Sequence, residues 1–594
     1  MMGVTAMTGE IQRMQSLPVR CAILLAAAVA IFACRTTSPV LPSVPAPTVV
    51  FVAREIITLD PSRPNVEAVA VAGDRILATG DLAHVERALA GRPFEVDRRF
   101  AEHVLVPGLI NQHEHALLAA MTMLVEILSI EDWELPDRSI PRARNAAEYR
   151  TRLKRLVDQH SDPDRVFYTW GYHQLFHGEL SRADLDELSS TVPIVVLQRS
   201  MHETLFNTPA LERFGIDTAL IASLPEAARA QTDLARGHFW EAGSMAIVRS
   251  FLGNLLAPER YAPALERVAA YWHAAGSTLV AEPGGVVAPA LLAMQNQVLG
   301  DAKTPFRMYY IVDGRTIAEG NPAEAIIEET EKLLDDATGS SRFLSKQAKL
   351  FADGAMFSQL MQMRDGYLDG HQGEWIMEPE VFETAFETYW DAGYQLHVHQ
   401  NGDAGLDFVL DTLEENMKRN PRDDHRTVIV HFGFSRPDQV ERIAELGAIV
   451  SANPFYTVAL GDRYQEVGIG PARATEMVRL GDVARAGVPF SLHADMPMAP
   501  GQPLRLMWAA VNRITVDGNL VGPGQRVSPE EALRAVTIDA AYSLRLENEV
   551  GSVEPGKLAN FTILADNPLT VPPQSIKDIA VWGTVHEGRV LPLR

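Results

Sequence analysis

Two histidines one residue apart, His113 and His115, close the run Pro107-Gly108-Leu109-Ile110-Asn111-Gln112-His113-Glu114-His115. Val104 to Ile110 is apolar and reads as one strand that ends at the pair, with Pro107-Gly108 inside it. Residues two apart on a strand leave the same face, so both imidazoles can reach one metal ion in a cleft. The pair alone is a weak signal, and four later segments strengthen it. They place Lys349 in Gln347–Gly354, His399 in Gln395–Asp403, His431 in Val428–Phe432 and Asp495 in Pro489–Asp495. Each follows or ends an apolar β run. These groups could bind a metal or move a proton.

Composition narrows the chemistry. The only cysteines are Cys21 and Cys34. A disulfide framework and a cysteine-built zinc site are therefore excluded, and any metal must be held by nitrogen and oxygen. The formal net charge is -23, with no block of basic residues. Such a chain repels phosphate backbones, so nucleic acid is excluded as a partner. With 594 residues and 47% hydrophobic content, there is enough chain for one large enzyme domain and a smaller one.

The elements that must position these residues alternate between strand-like and helix-like stretches, as in a parallel α/β fold. Eight strand candidates begin near Val104, Ser277, Pro305, Lys346, Tyr394, Thr427, Gly447 and Val488. Eight such units predict a (β/α)8 TIM barrel, residues 104–545, with its site at the carboxyl ends of the strands. The long gap after the first strand predicts an inserted subdomain at about 116–276 over the barrel mouth. Short strands and turns at 48–103 and 546–594 predict a small β-sandwich built from both chain ends.

The amino terminus reads as an address. Arg13 and Arg20 precede the apolar stretch Cys21–Phe32, which is too short for a stable span and fits a signal peptide over residues 1–33. Ile31-Phe32-Ala33-Cys34 resembles a bacterial lipobox, although Phe32 stands where a small residue is usual. Lipidation of Cys34 would anchor the protein in the cell envelope, and Arg35 resembles outer-membrane sorting. Cleavage and release into the periplasm or medium is the alternative. Residues 34–47 read as a Pro/Ser/Thr-rich tether.

The order His-x-His, Lys, His, His, Asp on strands one, four, five, six and eight resembles the amidohydrolase superfamily. Lys349-Leu350-Phe351-Ala352-Asp353-Gly354 and His399-Gln400-Asn401-Gly402-Asp403 are similar to motifs of its YtcJ-like branch, which includes N-substituted formamide deformylases. Trp170-Gly171-Tyr172, Leu180–Asp186 and Asn207–Leu211 match the branch within the insertion, and Gly551–Asn560 resembles the return into the terminal β domain. The resemblance covers Val49 to the carboxyl terminus. It implies one or two divalent ions, zinc first, held by His113, His115, Lys349, His399, His431 and Asp495, with Lys349 carboxylated. It implies hydrolysis of a non-peptide carbon–nitrogen bond in an amide, N-acyl or cyclic amide compound by metal-bound hydroxide, with Asp495 as base and acid. Ester, lactone or phosphotriester hydrolysis on the same scaffold is an alternative. So is a non-catalytic envelope binding lipoprotein.

The family usually has Asp where Asn111 stands. His397 and His493 each sit two residues before a proposed site residue, as ligands, substrate contacts or packed strand histidines. Arg199-Ser200-Met201-His202 resembles the branch's pocket-lining Gly-His element, which makes His202 a candidate substrate contact. Tyr456, after strand seven, is another. The segment Met356 to Trp375 could line an apolar acyl or aryl pocket. The expected partner is a small-molecule substrate, with contact to a membrane only through Cys34, and a homo-oligomer is possible.

Overall fold

The computed structural model describes residues 47–593 except 161, 163, 286 and 287. The expected signal peptide, Cys34 and most of the tether lie outside the described residues.

Eight parallel strands form one sheet. In order they are Leu109–Asn111, Ser277–Pro283, Arg307–Asp313, Arg342–Phe351, Gln395–Gln400, Val428–His431, Ile449–Ala452 and Phe490–Leu492. Most are short and buried on both faces, the ten-residue Arg342–Phe351 being partly exposed in its first half; Val428–His431 and Gln395–Gln400 are buried at every position. This is why they read as apolar runs and not as an alternation. The first and last strands meet through their extensions. The Asp495 amide donates to His113 O at 3.0 Å. Buried Gln112 donates from Nε2 to Ser451 Oγ and Ser491 Oγ, both at 2.7 Å. The architecture is a TIM barrel.

The apolar run from Val104 is divided between two sheets, which corrects its reading as a single strand. Phe94–Pro107 belongs to the terminal sheet, where Val104–Pro107 pairs antiparallel with Phe561–Leu564. The barrel's first strand is only Leu109–Asn111. Gly108 makes the transfer, because a Cβ there would come within 2.1 Å of Thr278 Oγ1. Only glycine lets the Thr278 side chain pack this closely on the backbone.

The chain ends meet in a seven-stranded sheet that joins Thr48–Ile57, Asn65–Ala72, Arg75–Gly80 and Phe94–Pro107 to Phe561–Leu564, Val581–His586 and Arg589–Pro592. Between the first two barrel strands lies a six-stranded sheet that includes Phe167–Tyr172, Ile194–Gln198 and Glu203–Phe206. Its strand ends carry Arg199 and His202 toward the barrel mouth.

Candidate metal centre and active site

Each proposed ligand leaves the carboxyl end of a barrel strand. Lys349 and His399 lie within their strands, His431 ends its own, and His113 and Asp495 follow theirs. His431 (φ 74°), Phe432 (φ 53°) and Asp495 (φ 58°) adopt the left-handed backbone region. Side-chain-bearing residues there typically cost about 1–3 kcal/mol and persist only when the surroundings hold them. Here the holding bonds are Phe432 N to Gln400 O at 3.1 Å, Asn453 N to His431 O at 3.1 Å and Asp495 N to His113 O at 3.0 Å.

The turns bring the groups together. Asp495 Oδ1 lies 3.1 Å from His115 Nε2 and 3.7 Å from His113 Nε2, while Oδ2 lies 3.7 Å from His431 Nδ1. The His113 and His431 ring centroids are 5.1 Å apart, and those of His399 and His431 are 4.3 Å apart. His113, His115 and Asp495 each offer a ligand atom within 4.8 Å of the others. A cavity of about 170 Å³ opens onto all of them and onto Lys349.

The electrostatics fit a cation. Burial pushes His113, His399 and His431 well below the ordinary histidine range, so their rings are neutral and keep a lone pair for metal. Burial also lowers Lys349 to about 7, against the opposing pull of Asp495 and Asp313. Its Nζ is buried with no hydrogen-bond partner. His115 behaves oppositely. Burial pulls it down, but hydrogen bonds to Asp495 and Glu282 outweigh that and hold it up to about 10. Carboxylates on both sides of His115, Glu282 at Nδ1 and Asp495 at Nε2, make a setting that favours positive charge. The donor set is nitrogen and oxygen alone, and it fits a divalent metal.

His397 and His493, the two strand histidines expected as further substrate contacts, lie deeper than the cavity-lining residues. Neither lines the cavity. His397 Nε2 lies 3.0 Å from Gln347 Oε1. His493 Nδ1 lies 2.8 Å from Ser451 Oγ, and its Nε2 lies 3.1 Å from His431 Nδ1. Two residues back along a strand is the same face but roughly 6–7 Å further into the barrel. His493 also forms a close nitrogen cluster with His113 and His431.

His202 and Tyr456 do line the cavity. His202 Nδ1 is 2.7 Å from Glu241 Oε2, and this pairing raises its pKa despite burial. Of the apolar segment, Met356 and Phe357 reach the cavity, whereas Trp375 packs on Phe408 with centroids 5.0 Å apart. Asn111 donates from Nδ2 to Ser277 Oγ at 3.0 Å and to Gly501 O at 3.2 Å. It braces the first strand against the last loop as a donor, where a carboxylate could only accept.

Sequence reasoning passed over Glu282, Arg315 and Arg199. Glu282 lies 3.7 Å from His115 Nδ1, and Arg315 lines the cavity. Both sit at strand carboxyl ends, which was the available signal. Arg199 enters the sequence reading only as the start of the element that ends at His202, and its pairing left no signal because Glu131 is 68 residues away.

Comparison with known proteins agrees with this geometry. The profile of the amidohydrolase family matches residues 102–592. An N-substituted formamide deformylase from Arthrobacter pascens is 25% identical over 560 residues, covering 89% of this chain and 96% of its own. Protein LONG AFTER FAR-RED 3 of Arabidopsis thaliana is 25% identical over 527 residues, 86% of each chain. The crystal structure of an uncharacterised metal-dependent hydrolase from Pyrococcus horikoshii superposes with a TM-score of 0.67 at 20% identity, covering 89% of this chain and 99% of that one. The chain belongs to the amidohydrolase family, as a divalent-metal hydrolase of carbon–nitrogen bonds in its YtcJ-like branch.

Proposed function

We propose that this chain hydrolyses the amide bond of a small N-acyl, N-substituted or cyclic amide, with Asp495 moving the proton. One observation carries the reading: among the described residues Asp495 is the single carboxylate lining the cavity, and its two oxygens face His113, His115 and His431 at 3.1–3.7 Å. His113, His115, Lys349, His399, His431 and Asp495 would hold one or two divalent ions, zinc first, which when bound supply Lewis acidity and lower the pKa of water.

The chain's own residues do the rest. Lys349, buried and close to neutrality, can add to carbon dioxide: Nζ forms a bond to the carbon, one proton leaves, and the resulting carbamate is an anionic oxygen donor. Asp495 takes a proton from the attacking water and returns it to the departing nitrogen. An amide nitrogen leaves poorly unless protonated, and help of this kind is typically worth ~10²–10⁴-fold. His202 keeps Nδ1 on Glu241, which leaves Nε2 for the substrate. Met356, Phe357 and Met498 supply an apolar wall for the substituent. The Arthrobacter relative, named for N-substituted formamides, supports the substrate class. Cys21–Phe32 and Cys34 support an envelope location, which lipid labelling and fractionation test.

The test is turnover of N-substituted formamides, N-acyl amines, cyclic amides and matched esters by zinc-loaded protein. Amide turnover that falls at least about 100-fold in Asp495→Asn with metal retained is the expected result. Ester turnover without amide turnover would overturn it.

A further inference from the structure

We propose that Arg315 is a carboxylate-binding residue of this cavity, so that the substrate is an amide bearing a carboxylate beside its apolar substituent. The inference rests on the amide-hydrolase reading above and names the substrate class more narrowly.

Arg315 follows the third barrel strand, Arg307–Asp313, by two residues and lines the same cavity as Lys349 and His399. Its guanidinium carbon lies 4.8 Å from the centroid of the Phe351 ring, and Lys349 Nζ lies 5.4 Å from the same centroid. The guanidinium therefore stands one aromatic ring from the metal centre.

Its hydrogen-bonding capacity is unspent. Nε is buried with no partner, and Arg315 makes no ion pair among the described residues. The other cavity-side and core arginines differ. Arg199 pairs with Glu131 and bonds two carbonyls, and Arg513 donates to the carbonyls of Val521, Val478 and Met477 at 2.7–2.9 Å. Buried polar groups are normally satisfied, so an unpartnered guanidinium N–H at a cavity wall calls for an external acceptor. The near acids do not supply it. Asp313 spends both oxygens on Thr316, at 3.2 Å to N and 2.6 Å to Oγ1. Glu319 is exposed.

Charge selects the ligand. Asp495, the single lining carboxylate among the described residues, already faces three imidazoles. A planar guanidinium fork matches a carboxylate with two parallel N–H bonds. One guanidinium balances one carboxylate, whereas a phosphate dianion would need a second cation. With an acyl group at the metal centre and the apolar substituent against Leu118, Met245 and Met356, a carboxylate on the carbon bearing the nitrogen would meet Arg315.

The experiment compares N-formylphenylalanine with N-formylphenethylamine, which lacks the carboxylate. Binding is read by calorimetry on zinc-loaded Asp495→Asn protein, where turnover does not interfere, with and without Arg315→Met. The expected result is a charged-over-neutral affinity ratio that drops roughly ten- to hundredfold with Arg315→Met, with Arg315→Lys between the two. In otherwise wild-type protein the same drop should appear in the ratio of kcat/KM, carried by KM. Equal loss for both probes, no binding of the charged probe, or a carboxylate contribution unchanged by Arg315→Met would each overturn it. Hydrolysis of both probes without charge preference would remove this inference and leave the amide reading standing. Arg315-dependent binding with no hydrolysis of any amide would do the reverse.

Discussion

Arg199 and Glu131 form a buried ion pair within the insertion, and Arg199 alone bonds onward to the loop that follows Asp495. Nη2 lies 2.7 Å from Oε1 and Nε lies 3.2 Å from Oε2. The remaining donors go to Pro497 O and Met498 O, both at 2.7 Å. The guanidinium packs against Trp170 and Phe357, 5.1 and 4.5 Å from their centroids. One side chain therefore links the insertion to the turn that follows the proposed proton carrier.

Arg199→Met should destabilise the fold by about 3–5 kcal/mol, because it leaves Glu131 buried and unpaired. Denaturant unfolding reads this. In folded protein, kcat should fall more than KM rises, since the Asp495 loop loses two donors. Arg199→Lys should recover only part, lacking the fork. Unchanged kcat in folded Arg199→Met would show that the loop holds itself.

Lys349→Met should separate metal binding from stability. The buried amine has no partner without metal, so an apolar chain of similar length removes a desolvation penalty of about 1–3 kcal/mol. Metal-free variant should unfold at higher denaturant than metal-free wild type. Zinc per chain, measured by mass spectrometry, should drop by half or more, and activity with it. Full zinc occupancy in the variant would exclude Lys349 as a ligand.

His177 predicts a loss of stability in mild acid. Burial holds it down to about 4, while its ring stacks on Tyr149 at 4.3 Å. Nδ1 accepts from the His173 amide at 3.1 Å, and Nε2 lies 3.0 Å from Ala143 O, so the folded state wants the neutral Nε2–H tautomer. The folded pKa lies below the unfolded value near 6.5. The stability this group contributes is therefore complete above pH 6.5 and is lost as pH falls toward 4, at up to about 1.4 kcal/mol per unit. In His177→Phe the decline between pH 6.5 and pH 4 should be shallower. A parallel decline in both proteins would assign it elsewhere.

Asp353 orders the loop beside His399. It accepts from the amides of Asn401 at 2.8 Å, Gly402 at 2.7 Å and Gln362 at 3.0 Å. Burial nevertheless raises it to about 7. Asn401 Nδ2 in turn lies 3.0 Å from His399 Nε2. Asp353→Asn replaces one of these acceptor oxygens by an NH2 donor facing backbone N–H groups, and should cost about 1–3 kcal/mol and loosen His399. Thermal unfolding and zinc affinity should both weaken. Loss of one without the other would separate the loop from the ligand.

Much of the barrel was legible because its signals are local. Apolar runs that end on His, Lys or Asp state which strands exist and which residues leave their carboxyl ends. A period of two assigns a face but carries no depth, so His397 and His493 looked equivalent to His399 and Asp495 until the strands were placed. Pro107-Gly108 hid the transfer between sheets, since the apolar run continues across it. Only the partner strands, Phe561–Leu564 on one side and Ser277–Pro283 on the other, separate its halves.

The chain's own order of residues determined the ligand chemistry: imidazole, amine and carboxylate at strand ends, no thiols, and an acidic surface unsuited to nucleic acid. Folding decided which of those groups share a cavity, that Arg315 lacks a partner among the described residues, and that Arg199 reaches across to Glu131 and to the Asp495 loop. The physical reason is range. Side-chain type and alternation are written within a few residues, whereas burial, pKa and unspent hydrogen bonds depend on neighbours contributed from distant parts of the chain.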